Sequence, residues 1–392
     1  MHKTHPQPAP GVSFALLIYI STILVLSAGP ALATPPVITS QFDFSSATTR
    51  EARKLVFETV PNHRYLLWRS TDLKSWAVVP GYPQTASGLA LEYTFGQLEQ
   101  EFFRIEPLDE PHPAPVIFAL IPAGAFQMGD QSSPTVGSLS ERPVHRVTLS
   151  AFYMGTTEVT KAQWDATYTH AIANSYSFNR AGSGKAITHP VHTVSWFDIV
   201  KWCNAKSQQD NLDPCYYAGG AIYKKDPAST VTCDFDKNGY RLPTEAEWEK
   251  AARGGQSARN FPWGLNTITH SQANYKSSSS PHGYDISPTP GYHPTYATGS
   301  FPYTSPAGAF PPNAYGLYDM AGNVYEWCWD WHSDDYTSAG ANDPTGPPVG
   351  SSRVVRGGSW FDSRARVSYR DAGIPIHASL DFVGFRLARG RL

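Results

Sequence analysis

Hydrophobic positions along this chain come in three textures. From Val12 to Leu26 they are nearly continuous, interrupted only by Ser and Thr. Further on they gather in short β-rich runs, "KLVFETV", "YLLWRS", "WAVVPG", "LALEYTF" and "EFFRIEP", each bounded by turn residues. That pattern predicts a small all-β module over residues 34–107. The Pro-rich stretch "LDEPHPAP", residues 108–115, reads as a linker. A second region, residues 116–392, then opens three helices with polar caps. Thr160 with Gln163, Ser195 with Asp198 and Thr244 with Glu247 each place a hydroxyl where it accepts from an orphaned N–H, with a third-position side chain reaching back. The helices so opened carry Trp164, Trp202 with Cys203, and Trp248, and Gly254-Gly255 ends the last. The acids of that last helix, Glu245, Glu247 and Glu249, are expected in a solvated first turn. Between Gly255 and Asn313 periodicity fades, and so long an irregular stretch calls for a staple such as a metal ion or a functional cleft.

Composition narrows the class. With 31 Gly and 33 Pro in 392 residues, long helices are few and a bundle or coiled coil is excluded. A net charge of −2 argues against a basic nucleic-acid binder. At 41% hydrophobic, the chain has enough apolar material for a core.

The first apolar run changes the expected location. Lys3 precedes it and the small-x-small triplet Ala31-Leu32-Ala33 follows it, as in a secretory leader of residues 1–33 cleaved near Ala33. The run is short for a bilayer span, so the mature protein is expected to be exported (periplasmic or extracellular) and without a stable membrane span. Export permits disulfides. Of Cys203, Cys215, Cys233 and Cys328, the pair Cys215 and Cys233 flanks a Gly/Tyr-rich excursion and is the expected bridge. Cys203 and Cys328 remain open as buried thiols or partners.

Eight phrases in the second region follow one another in a distinctive order. They include "IPAGAFQMG", "GYRLPTEAEWEKAARGG", "NAYGLYDMAGNVYEWCWDW", "RVVRGGSW" and "VGFRLAR". Over residues 118–389 the chain resembles the formylglycine-generating enzyme (sulfatase-modifying factor) family. The resemblance implies an α+β domain of the C-type-lectin-like kind, with low regular secondary structure and structural calcium. It also implies the oxidation of a substrate cysteine with copper and oxygen, as an oxidoreductase acting on a protein or peptide. Calcium takes six to eight oxygens. The matching first set is Asp319, the carbonyls of Gly322 and Val324, and Glu326, where Asp319 stands in place of the Asn of other members. A second set is Asn274, the Tyr275 carbonyl and Asp285.

The copper part of the resemblance breaks down. Two thiolates, five residues apart after the GGS motif, would hold the soft ion. Here those places are Asp362 and Val367, and no cysteine follows Cys328. Formylglycine synthesis by the copper route is therefore not expected. The segment after GGS still marks the family's cleft, so Ser359, Trp360, Asp362, Ser363, Arg364 and Arg366 are the candidate site. Asp362 could act as a base or oxygen ligand and Arg364 could hold a carboxylate, or the segment could be a solvated loop with local ion pairs. His189, His192 and His145 read as structural, and His332 beside Asp330, Asp334 and Asp335 as part of an acidic loop or a surface metal site. Two function classes stand: an exported modifying enzyme, or a non-catalytic, calcium-stabilised module binding a peptide or glycan.

Overall fold

In the computed structural model the chain divides into two compact units, Met1–Ala114 and Pro115–Leu392. The described residues are the strands of the first unit with Val79, and residues 116–391 apart from 133–135, 227–229, 279–282, 335–340 and 372–373. The expected cleavage site at Ala33 and the linker 108–115 lie outside them.

Apart from Val79, the described parts of the first unit are all strand. Arg64–Ser70 pairs antiparallel with Glu101–Pro107, and Arg53–Glu58 pairs with Ala90–Phe95. Ile18–Ile20 and Ile23–Ser27, within the stretch expected as leader, are strands. The second of them runs parallel to Glu101–Pro107.

The second unit is built from short strands and three helices. Thr160 and Thr244 form complete capping boxes at the starts of α1 (Lys161–Ala173) and α3 (Glu245–Arg253), and Ser195 caps α2 (Trp196–Gln209). Gly254 stops α3 at φ +56°, a left-handed position where a side chain would be strained. Helices α1 and α2 pack through a stacked indole pair, Trp164 and Trp202, with ring centroids 5.7 Å apart and planes 4° apart. Fully burying rings of this size contributes more than any aliphatic position.

Two sheets frame the rest. In one, Ala388–Arg391 lies between Phe152–Gly155 and Tyr240–Arg241, with Phe118–Ile121 outside Phe152–Gly155. The two ends of the unit thus close one sheet. In the other, Tyr325–Trp331 pairs antiparallel with Arg353–Arg356 and parallel with Val383–Gly384, and Arg370–Asp371 adds to the edge. The irregular stretch from Gly255 to Asn313 is stapled by side chains bonded to backbone. Asn274 donates to the Tyr303 carbonyl at 2.8 Å, and Asn323 accepts from the Ser305 N–H at 2.9 Å. His293 donates to the His270 carbonyl at 2.7 Å, and His270 to that of Tyr275 at 3.1 Å.

The acids of α3 are not solvated. Glu245, Glu247 and Glu249 are all buried. Glu247 pairs bidentately with Arg241, at 2.6 and 2.9 Å, while completing its capping box. Glu249 bonds Arg253 and Arg356, and Glu245 bonds Arg370 and Arg356. Arg356 and Arg370 come from distant strands, so the helix pattern alone could not place them. With buried guanidiniums on one side, burial of the acid face becomes tolerable.

Candidate functional site

The RGGS turn positions the site. Gly358 has φ +74°, and a Cβ there would lie 2.7 Å from the Arg364 carbonyl. The backbone of Gly358 thus lies directly against that of Arg364 and Ala365, which closes the segment between them into a tight loop. Ser359 and Trp360 are buried; Ser359 Oγ accepts from the Phe361 N–H at 3.2 Å and Trp360 Nε1 donates to the Asp381 carbonyl at 3.3 Å. Asp362 accepts from the Tyr325 hydroxyl at 2.7 Å and from the Arg364 N–H at 3.1 Å. Burial pushes its carboxyl above the usual carboxylate range, against those two bonds. Val367 is in the core, packed with Trp248 and Cys328.

A cleft of about 510 Å³ opens beside this segment. Arg364, Tyr369 and Asp371 line one side, and Glu141, Tyr284 and His332 come from elsewhere in the chain. Of the candidate residues only Arg364 and Arg366 reach it. Arg366 is locked: Glu141 takes its two Nη groups at 2.6 and 2.7 Å, and Ser368 donates to the same carboxylate at 2.8 Å. Arg364 is looser. Its side chain is 54% exposed, donates to the Tyr369 hydroxyl at 3.1 Å and stays 3.9 Å from Asp371. Among the described residues the cleft therefore offers one accessible cation on an internally paired wall. Glu141, Tyr284 and the run Tyr369-Arg370-Asp371 were not legible as site residues, because they lie in three separate parts of the chain that only the fold brings together. Burial, chiefly, keeps His332 below the ordinary histidine range.

No thiol lines the cleft. Cys203 belongs to the core around Trp164 and Trp202, and Cys328 to the core around Trp248, so they do not form a common site. Burial holds both thiols well above their ordinary range and pushes Cys215 up to about 11, which disfavours the thiolate that a soft metal needs. The expected Cys215–Cys233 bond is not formed. Cys233 sits directly across from Tyr216, and the Asp234 N–H bonds the Cys215 carbonyl at 2.8 Å. With a period of two, the side chains of Cys215 and Cys233 leave on opposite faces.

Around the first expected calcium set the geometry is mixed. Asp319 adopts φ +52° and is buried; its Oδ2 accepts from the Gly308 N–H at 2.5 Å and its Oδ1 has no partner. Both oxygens of the fully buried Glu158 also lack a partner. Burial pushes Glu158 well above the usual range, reinforced by the charge of Asp319, and pushes Asp319 up to about 6 against the Gly308 N–H bond and the Arg386 charge. Glu326, expected to face the ion, is turned to Arg386, at 2.6 and 2.7 Å, and accepts from Trp248 Nε1 at 2.7 Å. In the second set Asp285 accepts from the Tyr275 hydroxyl at 2.7 Å and from two backbone N–H groups, and the Tyr275 carbonyl is taken by His270. Among the described residues no three His, Cys, Asp or Glu side chains converge as a metal cluster. His189 bonds Thr304 at 2.9 Å and His192 bonds Thr193 at 2.8 Å.

A mostly irregular α+β unit with this order of motifs defines the sulfatase-modifying-factor class. Residues 109–391 match the family described as "Sulfatase-modifying factor enzyme 1-like domain", and the chain belongs to that family. It is 33% identical over 322 residues to the formylglycine-generating enzyme of Thermomonospora curvata, spanning 68% of this chain and 91% of that one. It is 34% identical over 266 residues to the chaperone protein LppX of Paenibacillus barcinonensis, spanning 64% and 81%. Among solved structures, Treponema denticola variable protein 1 superposes with a TM-score of 0.55 at 33% identity, covering 72% of this chain and 97% of that one.

Proposed function

We propose that this protein is an exported polypeptide-binding member of the sulfatase-modifying-factor family that has kept the cleft and lost the copper chemistry. The observation that carries the reading is the make-up of the cleft. Its wall is built of paired arginines and acids with no thiol, and Arg364, the one accessible cation among the described residues, is suited to a carboxylate on a bound chain. Catalysis would need an unpaired, activated group, whereas Asp362, raised in pKa, is held by Tyr325 away from the cleft lining. Export rests on the leader-like run ending at Ala33. No helix among the described residues is long and apolar enough to cross a membrane.

Calcium is part of the proposal as a scaffold ion. Asp319 and Glu158 hold three buried oxygens without partners, which a hard cation would satisfy together with the Gly322 and Val324 carbonyls. Its role is to neutralise the two acids and tie the turn after Asp319 to the strand Tyr325–Trp331.

The kinship with formylglycine-generating enzymes favours a second reading, a modifying enzyme working on the same cleft. One experiment separates them. The full chain is incubated with copper, oxygen and a cysteine-containing sulfatase peptide while binding and product are followed by fluorescence anisotropy and mass spectrometry. Binding that weakens in Arg364→Glu, without formylglycine, supports the binding module; formylglycine product overturns it.

A further inference from the structure

A second cavity, of about 780 Å³, opens between the strand end Trp329–Trp331, the segment Thr230–Phe235 and the loop 345–350. None of its lining residues is shared with the cleft at Arg364. Its walls are close-packed. A Cβ on Gly346 would lie 2.7 Å from the Asp330 side chain, and one on Gly350 would lie 2.8 Å from that of Trp331. The loop is thus seated directly on the strand, and the cavity is preformed.

One side chain in it is unusual. Arg353 is 3% exposed and its guanidinium lies 3.6 Å from the ring centre of Trp331, 3.9 Å from that of Trp196 and 4.8 Å from that of Trp329. With its faces covered by indoles, hydrogen bonds are left to its edge. Among the described residues that edge makes one, from Nη1 to the Trp329 carbonyl; the buried Nε has none, and Arg353 forms no ion pair with a described carboxylate. The other buried arginines of this sheet, Arg356 and Arg370, each hold a glutamate. The neighbouring acid, Asp330, is turned to the α3 N-terminus, where it accepts from the Glu245 N–H at 2.8 Å. A buried cation left without an anion is costly, and burial pulls Arg353 down to about 9.

We propose that this cavity binds a small organic carboxylate with an aromatic or branched apolar body. The carboxylate meets the free edge of Arg353, and the body lies against Trp329, Trp331 and Phe235. A volume of this size suits such a ligand, and the indoles supply flat apolar surface beside the charge. The proposal does not depend on the reading of the Arg364 cleft.

The test uses the full chain and calorimetric titration, with tryptophan fluorescence as a second readout. The probes are 3-phenylpropionate and its neutral twin 3-phenylpropionamide. A charge-assisted pair predicts that the acid binds at least about tenfold more tightly than the amide. N-acetyl-phenylalanine, whose carboxylate imitates a peptide end, is run beside them; whichever acid binds more tightly indicates a free acid or a chain terminus as the natural source. Arg353→Gln should bring acid binding down to the amide's level. Because that variant alters the core, Val349→Asp is made as well. Val349 is 77% exposed at the cavity rim, so the change spares folding while repelling an anion, and should weaken the acid but not the amide. Equal binding of acid and amide, absence of binding by both at millimolar concentration, or acid binding untouched by Val349→Asp would each overturn the proposal.

Discussion

The Glu141–Arg366 pair offers the sharpest check on how this cleft is held. Both side chains are buried, two direct bonds of 2.6 and 2.7 Å join them, and Ser368 and the Ser138 N–H also donate to the carboxylate at 2.8 and 2.9 Å. Glu141→Gln leaves the guanidinium buried against a neutral amide, and Arg366→Met leaves the carboxylate buried without its cation. Removing one partner of such a pair costs about 3–5 kcal/mol. The double variant should cost little more than either single one, because the second change removes the charge that the first stranded. A double-mutant cycle by urea unfolding should therefore give a coupling of about 2–4 kcal/mol, carried in the midpoint at an unchanged m-value. Additive losses would refute the reasoning, since they would mean that the two charges are solvated independently.

Three further outcomes are expected. Burial, reinforced by Glu245, raises Asp330 to about 7 from the ordinary 3.8. The folded chain therefore holds a proton that the unfolded chain has released. Stability should fall as pH rises between about 4 and 7 by an amount on the order of a few kcal/mol, and Asp330→Asn should remove that slope in unfolding curves taken across the range. His192, lowered to about 4 chiefly by burial, works in the opposite sense below about 6.5, so the difference between wild type and variant is the quantity to compare. If calcium sits on the orphaned oxygens, it should raise the melting temperature of the wild type, and the paired change Asp319→Asn with Glu158→Gln should abolish that response; an unchanged calcium effect would reject the assignment. Glu326→Ala should lower the melting temperature by the same amount with and without calcium, because it strands Arg386; a loss seen only with calcium would instead make Glu326 a ligand.

The local signals were legible without coordinates. A cap and its third-position partner lie within one turn, so Thr160, Ser195 and Thr244 marked the helix starts directly, and Gly254 marked a stop. The order of motifs identified the family, and the residues after GGS identified the absence of copper thiolates. The partners of the charged residues were not legible. Glu141 meets Arg366 across 225 positions, and Glu326 meets Arg386 across 60; neither lies in a pattern of short period. For the same reason Glu245 and Glu249 read as a solvated helix face and are in fact buried against distant arginines. The register of Cys233 against Tyr216, which sends the two expected bridge partners to opposite faces, depends on strand pairing that spacing does not encode. By itself, then, the sequence determined the helix starts and stops, the family and the missing thiolates, since each is a matter of residue identity within a short window. Which charges are neutralised, which are left exposed at Arg364, and which is left buried without an anion at Arg353 was decided by the tertiary structure, because a charge in a low-dielectric interior is governed by whichever group the fold brings within a few ångströms.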